Sequence, residues 1–285
     1  MEIKSFKKLK EEVSKRKDIP EEKESLMEKI RKFKQEKESL KKLLKEVSKR
    51  KNSKNCKPDQ VQEREETSEI VDKGTDSTKD ALQIEVERLQ KENNELKVEL
   101  EWRRARTYAD NITLNSATAH PNLSISEDKK KFIHEPQPQK VPSTPERFDS
   151  TVCVLGSEGF STGKHYWEVD VRSSTDWDLG VARTPIQRKG KLSLSPKEGF
   201  WALGWSGRDY WAKTDPWTRV EVQKKPKKIG VYLSYQEGQV TFFNVTDMSV
   251  FFTFNDCSFS EEVYPFFKNS HKETSMRICS LREDE

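Results

Sequence analysis

The chain has 285 residues, a formal net charge of +4, and 36% charged against 32% hydrophobic residues. Residues 1–57 hold 21 Lys/Arg against 11 Asp/Glu, whereas all seven tryptophans lie at or after Trp102. The first hundred residues therefore exclude a globular core, and the remainder is long enough to bury one.

The N-terminal run Met1–Val13 carries a charge every few residues and no apolar stretch, so no secretion signal is expected. Residues 20–50 read as a helix. Pro20 suits a first helical position, and Glu21 and Glu22 suit the positive end of the helix dipole. Leu26, Ile30, Phe33, Leu40, Leu44 and Val47, with Lys37 filling the gap, step alternately by four and three, which is a heptad seam. The segment Glu-Lys-Glu-Ser-Leu recurs at 22–26 and 36–40, two heptads apart, so both copies lie on one face. Acidic residues are interspersed among the lysines. A solvated helix face is expected there rather than a nucleic-acid partner.

Residues 52–78 lose this pattern and read as a flexible polar linker. A second helix follows over 79–106, where Leu82, Val86, Leu89, Asn93, Leu96 and Leu100 again step by four and three. Asn93 falls in the seam, where a buried amide sets register and strand number. The expected organisation is charged coiled-coil helices over 1–51, the linker, the second coiled-coil helix, and one domain over 107–285. A homodimer through the coiled coil is expected.

From Tyr108 onward the pattern changes to short period-two runs separated by Gly, Pro, Asn and Asp. His165–Val171, Trp177–Ala182, Lys228–Leu233 and Gln239–Val245 are examples. In the first, Trp167, Val169 and Val171 share one face. Such a series predicts an all-β C-terminal domain, a sandwich of two antiparallel sheets, with a hairpin turn at Tyr235–Gly238. The longest apolar stretch, Val240 to Phe254, contains Asp247 and alternates like a strand, while a membrane-spanning helix needs about 20 residues. The four cysteines, Cys56, Cys153, Cys257 and Cys279, have no short-range pairing and read as reduced thiols in a cytosolic chain.

Tyr108–Leu114, Thr118–Leu123 and Ser126–Asp128 together resemble a PRY segment. Glu146–Asp149, Val154–Gly156, Gly159-Phe160, Gly163–Val169, Trp177–Ala182, Gly199–Trp201, Lys228–Leu233, Val240–Asn244 and Tyr264–Phe267 resemble the SPRY signature in its order. The chain is thus similar to PRY-SPRY proteins of the butyrophilin and tripartite-motif group, with PRY at about 107–155 and SPRY at about 156–285. Where the family has Leu-Asp-Pro before its Thr-Ala-His run, this sequence has Leu114-Asn115-Ser116, which loosens a corner. Glu99–Arg104, Ile186–Gly190 and the heptad repeats look most like a butyrophilin cytosolic region. The resemblance implies a non-catalytic module that binds a protein or peptide partner in immune receptor and T cell receptor signalling. It implies a place in the cytoplasm, including the cytosolic face of the plasma membrane. The alternative is a RING-less relative of a tripartite-motif ubiquitin ligase, acting as a substrate-recognition or regulatory subunit.

No enzyme chemistry is legible. A RING needs eight zinc ligands at paired spacings, and four Cys with four His show no such arrangement. No phosphate loop, nucleophile elbow or His-Glu-x-x-His helix is present. Neither a metal nor a cofactor is expected. His165 reads as a structural strand residue, and Asp176 and Asp178 as solvated edge charges. The predicted contact surface is made by loops. The run Ser206–Arg219 supplies Arg208, Tyr210, Trp211, Trp217 and Arg219, and the run Arg183–Pro196 supplies Arg188. Aromatics and arginines dominate binding hot spots, and Tyr210, Trp211 and Trp217 are expected to be exposed. Some butyrophilins hold phosphorylated metabolites in a basic pocket of this domain. This sequence departs from that pattern at Asp178, Ser193, Trp211 and Trp217, so a phosphorylated small-molecule ligand is not expected.

Overall fold

The structure is a computed structural model. It describes the backbone of residues 65–281, together with helical positions 28, 31, 32, 34–36, 38, 39 and 42. The first heptad seam, the expected helix start at Pro20 and Cys56 lie outside the described residues. The chain divides into two compact units, residues 1–97 and 98–285.

A long helix runs from Glu65 to Arg106. It begins well before residue 79, inside the stretch expected to be a linker. Between Glu65 and Thr78 that stretch has few large apolar residues, but past Pro58 its only strong helix breaker is Gly74. The end of the helix, Val98 to Arg106, belongs to the β unit, although the sequence pattern divides the two at residue 106.

The second unit is a sandwich of two antiparallel sheets. The seven-stranded sheet has the order β1 (Leu123–Ile125), β2 (Lys131–His134), β13 (Ser275–Ile278), β4 (Lys164–Asp170), β9 (Lys228–Ser234), β10 (Gln239–Asn244) and β11 (Ser249–Phe254). The six-stranded sheet has the order β3 (Cys153–Leu155), β12 (Val263–Asn269), β5 (Trp177–Arg183), β6 (Phe200–Ser206), β7 (Asp209–Ala212) and β8 (Thr218–Val220).

Alternation decides what each strand sends inward. Trp167 and Val169 of β4 meet Trp177, Leu179 and Val181 of β5 in one buried core, with Ile229, Val231, Phe242, Leu203 and Phe267. Val171, just past β4, joins the same core. Two further clusters lie on the outer faces. Phe148, Leu155, Leu194, Phe200 and Phe266 cover part of the six-stranded sheet. Trp102 and Ala105 of the helix pack on Tyr166 and Phe243 of the seven-stranded sheet. Trp102 Nε1 donates to the Tyr166 hydroxyl at 2.9 Å, which donates to Glu168 Oε1 at 3.0 Å. Gly230 makes this possible, because a Cβ there would collide with the Tyr166 hydroxyl.

Past the helix, the chain joins the sheet through the Ala109–Tyr166 bridge. His165 Nδ1 then lies 2.9 Å from Asp110 Oδ2, its Nε2 lies 2.7 Å from the Thr162 carbonyl, and its ring stacks on Phe160. These contacts give His165 the structural part expected of it.

Candidate functional site

The residues marked out by the sequence gather on or near the outer face of the six-stranded sheet, with one exception. Ser206–Arg219 is not an open loop. It forms β7 and β8, two short strands at the sheet edge. The alternation of β7 therefore splits its aromatics. Tyr210 turns inward and is only 8% exposed. It stacks on Trp205 with centroids 5.7 Å apart and tilts against Phe251 and Trp177. Burial pushes its phenol up to about 12. Tyr210 is thus a core residue, and its expected exposure is corrected.

Trp211 turns outward opposite Gly204 and beside Arg219, and is partly exposed. Trp217, in the turn between β7 and β8, is 51% exposed. It is nonetheless held: its Nε1 donates to the Leu194 carbonyl at 3.1 Å, and the Lys213 ammonium lies 3.4 Å from its ring centroid. The cation–π contact and the hydrogen bond fix one ring geometry at the surface. Arg219 pairs with Asp209, its Nε 3.0 Å from Oδ1, and Arg208 lies exposed in the turn between β6 and β7. Arg188 stands elsewhere on the face. Its guanidinium lies 4.9 Å from the Phe148 ring centroid, and burial lowers its pKa.

Asp178 of β5 occupies the middle of this face. It is not a solvated edge charge but is buried, 3% exposed. Lys213 Nζ lies 3.0 Å from Oδ1, and Lys268 Nζ lies 2.6 Å from Oδ2. Gly204 opens the space, since a Cβ there would strike the Asp178 carboxylate. The sequence showed an acid where a phosphate pocket would carry a base. The structure shows that acid already paired with two lysines, so it presents no free negative charge. The case against a phosphorylated ligand then rests on Ser193, Trp211 and Trp217. Lys213 reads from the sequence as part of a charged rim, yet it is buried, and neither lysine could be paired with Asp178 in advance, because Lys213 and Lys268 lie 35 and 90 residues from it. Only the cross-strand register β12-β5-β6-β7 brings them together.

Among the described residues no group of His, Cys, Asp and Glu is arranged to hold a metal ion. Cys153, Cys257 and Cys279 are free thiols. No described helix is long and apolar enough to cross a membrane.

The SPRY domain family matches residues 164–282, and the SPRY-associated PRY domain matches residues 112–160. Butyrophilin subfamily 1 member A1 of Bos taurus is 45% identical over 169 residues, covering 59% of this chain and 32% of that protein. Butyrophilin subfamily 2 member A2 of Homo sapiens is 40% identical over 185 residues, covering 65% of this chain and 35% of that protein. The chain thus spans about a third of the length of these relatives. The crystal structure of the TRIM65 PSpry domain shares the fold, with a TM-score of 0.55 and 21% identity over 63% of this chain and 95% of that one. The chain belongs to the PRY-SPRY domain proteins, whose domains generally serve as protein-interaction modules.

Proposed function

We propose that the chain is a non-catalytic, butyrophilin-like interaction module that holds a protein or peptide partner on the outer face of its six-stranded sheet. Trp217 is the central anchor, Trp211 its neighbour, and Arg188, Arg208 and Arg219 supply the polar rim. The observation that carries this reading is the state of Trp217, a large ring half exposed yet fixed by Leu194 and Lys213. An immobilised aromatic loses little conformational freedom on binding, which is why such rings recur as anchors. The buried Asp178 cluster beneath it keeps the sheet face rigid.

From the butyrophilin resemblance we infer a role at the cytosolic face of the plasma membrane, in immune receptor and T cell receptor signalling. The heptad spacing of Leu82, Val86, Leu89, Leu96 and Leu100 favours a homodimer, with Asn93 setting its register. Light scattering on the intact chain should then give twice the chain mass. The binding face is tested by placing a photo-reactive benzoylphenylalanine at position 217 and, as control, at exposed position 272. Crosslinks to a discrete partner from 217 and none from 272 support the face. The same crosslinks from both positions, or from 272 alone, refute it.

A further inference from the structure

The end of the long helix carries three arginines in its last turn, Arg103, Arg104 and Arg106, and the next residue is the exposed Thr107. This places arginines four, three and one residue before a hydroxyl, a pattern that suits a kinase with an acidic substrate groove. The hydroxyl donates to the Arg104 carbonyl at 2.8 Å, closing the helix C-terminus. Arg106 is one of the pins holding this helix end to the sandwich. Its Nε lies 3.3 Å from Oε1 of the buried Glu168, and its guanidinium lies over the Trp102 ring.

We propose that Thr107 is a phosphorylation site for an arginine-directed protein kinase, and that its phosphate releases the helix end from the seven-stranded sheet. A new Oγ1–P bond forms at Thr107 as the bond between the γ-phosphorus of ATP and its bridging oxygen breaks. ADP leaves, and the hydroxyl proton passes to the catalytic base of the kinase. Three consequences act in one direction. The Arg104 carbonyl loses its hydroxyl donor. A charge of about −2 appears at the helix C-terminus, where the helix dipole disfavours it. The phosphate also competes with Glu168 for the adjacent Arg106 guanidinium. Kinases read extended segments, so modification captures the undocked end and the added charge then opposes redocking.

The test uses the full chain with the catalytic subunit of cyclic-AMP-dependent protein kinase and Mg-ATP. Mass spectrometry locates the phosphate, and hydrogen exchange follows residues 98–106. Phosphate should appear on Thr107, and faster in Tyr166→Phe, which removes the hydroxyl linking Trp102 to Glu168. Exchange over 98–106 should rise about tenfold in the phosphorylated chain. Thr107→Glu should shift in the same direction by less, and Thr107→Ala least. Absence of phosphate on Thr107 in both wild type and Tyr166→Phe would overturn the assignment as a site. Unchanged exchange in a chain fully phosphorylated there would overturn the release.

Discussion

On the outer face of the seven-stranded sheet, Glu168 lies between Arg106 and Lys228; on that of the six-stranded sheet, Asp178 lies between Lys213 and Lys268. Both carboxylates are buried, and each lies near a glycine whose missing Cβ leaves room for the polar group concerned. The covers differ. Glu168 is sealed by the chain's own helix end, with Trp102 laid over Tyr166. Asp178 is roofed only in part, and the ring beside it, Trp217, still faces water. The same electrostatic solution therefore serves a closed internal joint on one face and, on the other, a face left partly open, where we propose the partner binds.

The largest effect should come from unbalancing the cluster whose cations are the more deeply buried. Asp178→Ala leaves the buried Lys213 ammonium without its carboxylate, and removing one partner of such a pair costs about 3–5 kcal/mol. Denaturant unfolding should show this as a fall in midpoint at constant slope. Next comes Trp102→Ala, expected to cost about 3 kcal/mol, near the low end for a buried tryptophan because the cavity opens at a helix end. An effect within about 0.5 kcal/mol of wild type would show that the helix end does not seal that sheet. Glu168→Ala should cost less than Asp178→Ala, about 2 kcal/mol, because Arg106 and Lys228 are each about a third exposed and can rehydrate. The reverse order would break the comparison between the two faces.

These residues also mark what the sequence could reveal. Trp167, Val169 and Val171 declared their shared face because alternation on a strand states which side a residue takes. It does not state what covers that side. Tyr166 and Glu168 therefore looked outward, and only the docked helix end explains their burial. Tyr210 failed for another reason: β7 is a four-residue strand next to the sheet edge, among charged residues, so its alternation resembled a loop. The exposure of Trp211 and Trp217 was legible from their charged and glycine-containing neighbours. The Asp178 cluster was not, because long-range register carries no local signal.

A smaller effect is set by pH. Burial works to lower the pKa of His165, but the contacts with Asp110 and the Thr162 carbonyl outweigh it and raise the value above 6.5. A raised histidine stabilises the fold below the ordinary value, and that contribution is lost as pH rises through the folded one. His120 and His134 are lowered by burial, so they work in the opposite sense, with stability lost as pH falls below 6.5. His165→Gln should therefore reduce Tm more, relative to wild type, at pH 5.5 than at pH 8. An equal reduction at both would show that His165 does not gain its proton in the fold. Nuclear magnetic resonance should find His165 titrating above His120 and His134.

The most direct test of the open-face account sets Trp217→Ala beside Trp102→Ala, measuring Tm and the quantity of partner retained on the immobilised chain. Trp217→Ala should leave Tm within a few degrees of wild type, while losing a hot-spot anchor costs at least about 2 kcal/mol of binding, roughly thirtyfold in affinity. Trp102→Ala should lower Tm markedly and leave binding by the still-folded fraction intact. Full partner retention by Trp217→Ala, or a fall in its Tm as large as that of Trp102→Ala, would contradict the assignment of the six-stranded sheet's outer face as the contact surface.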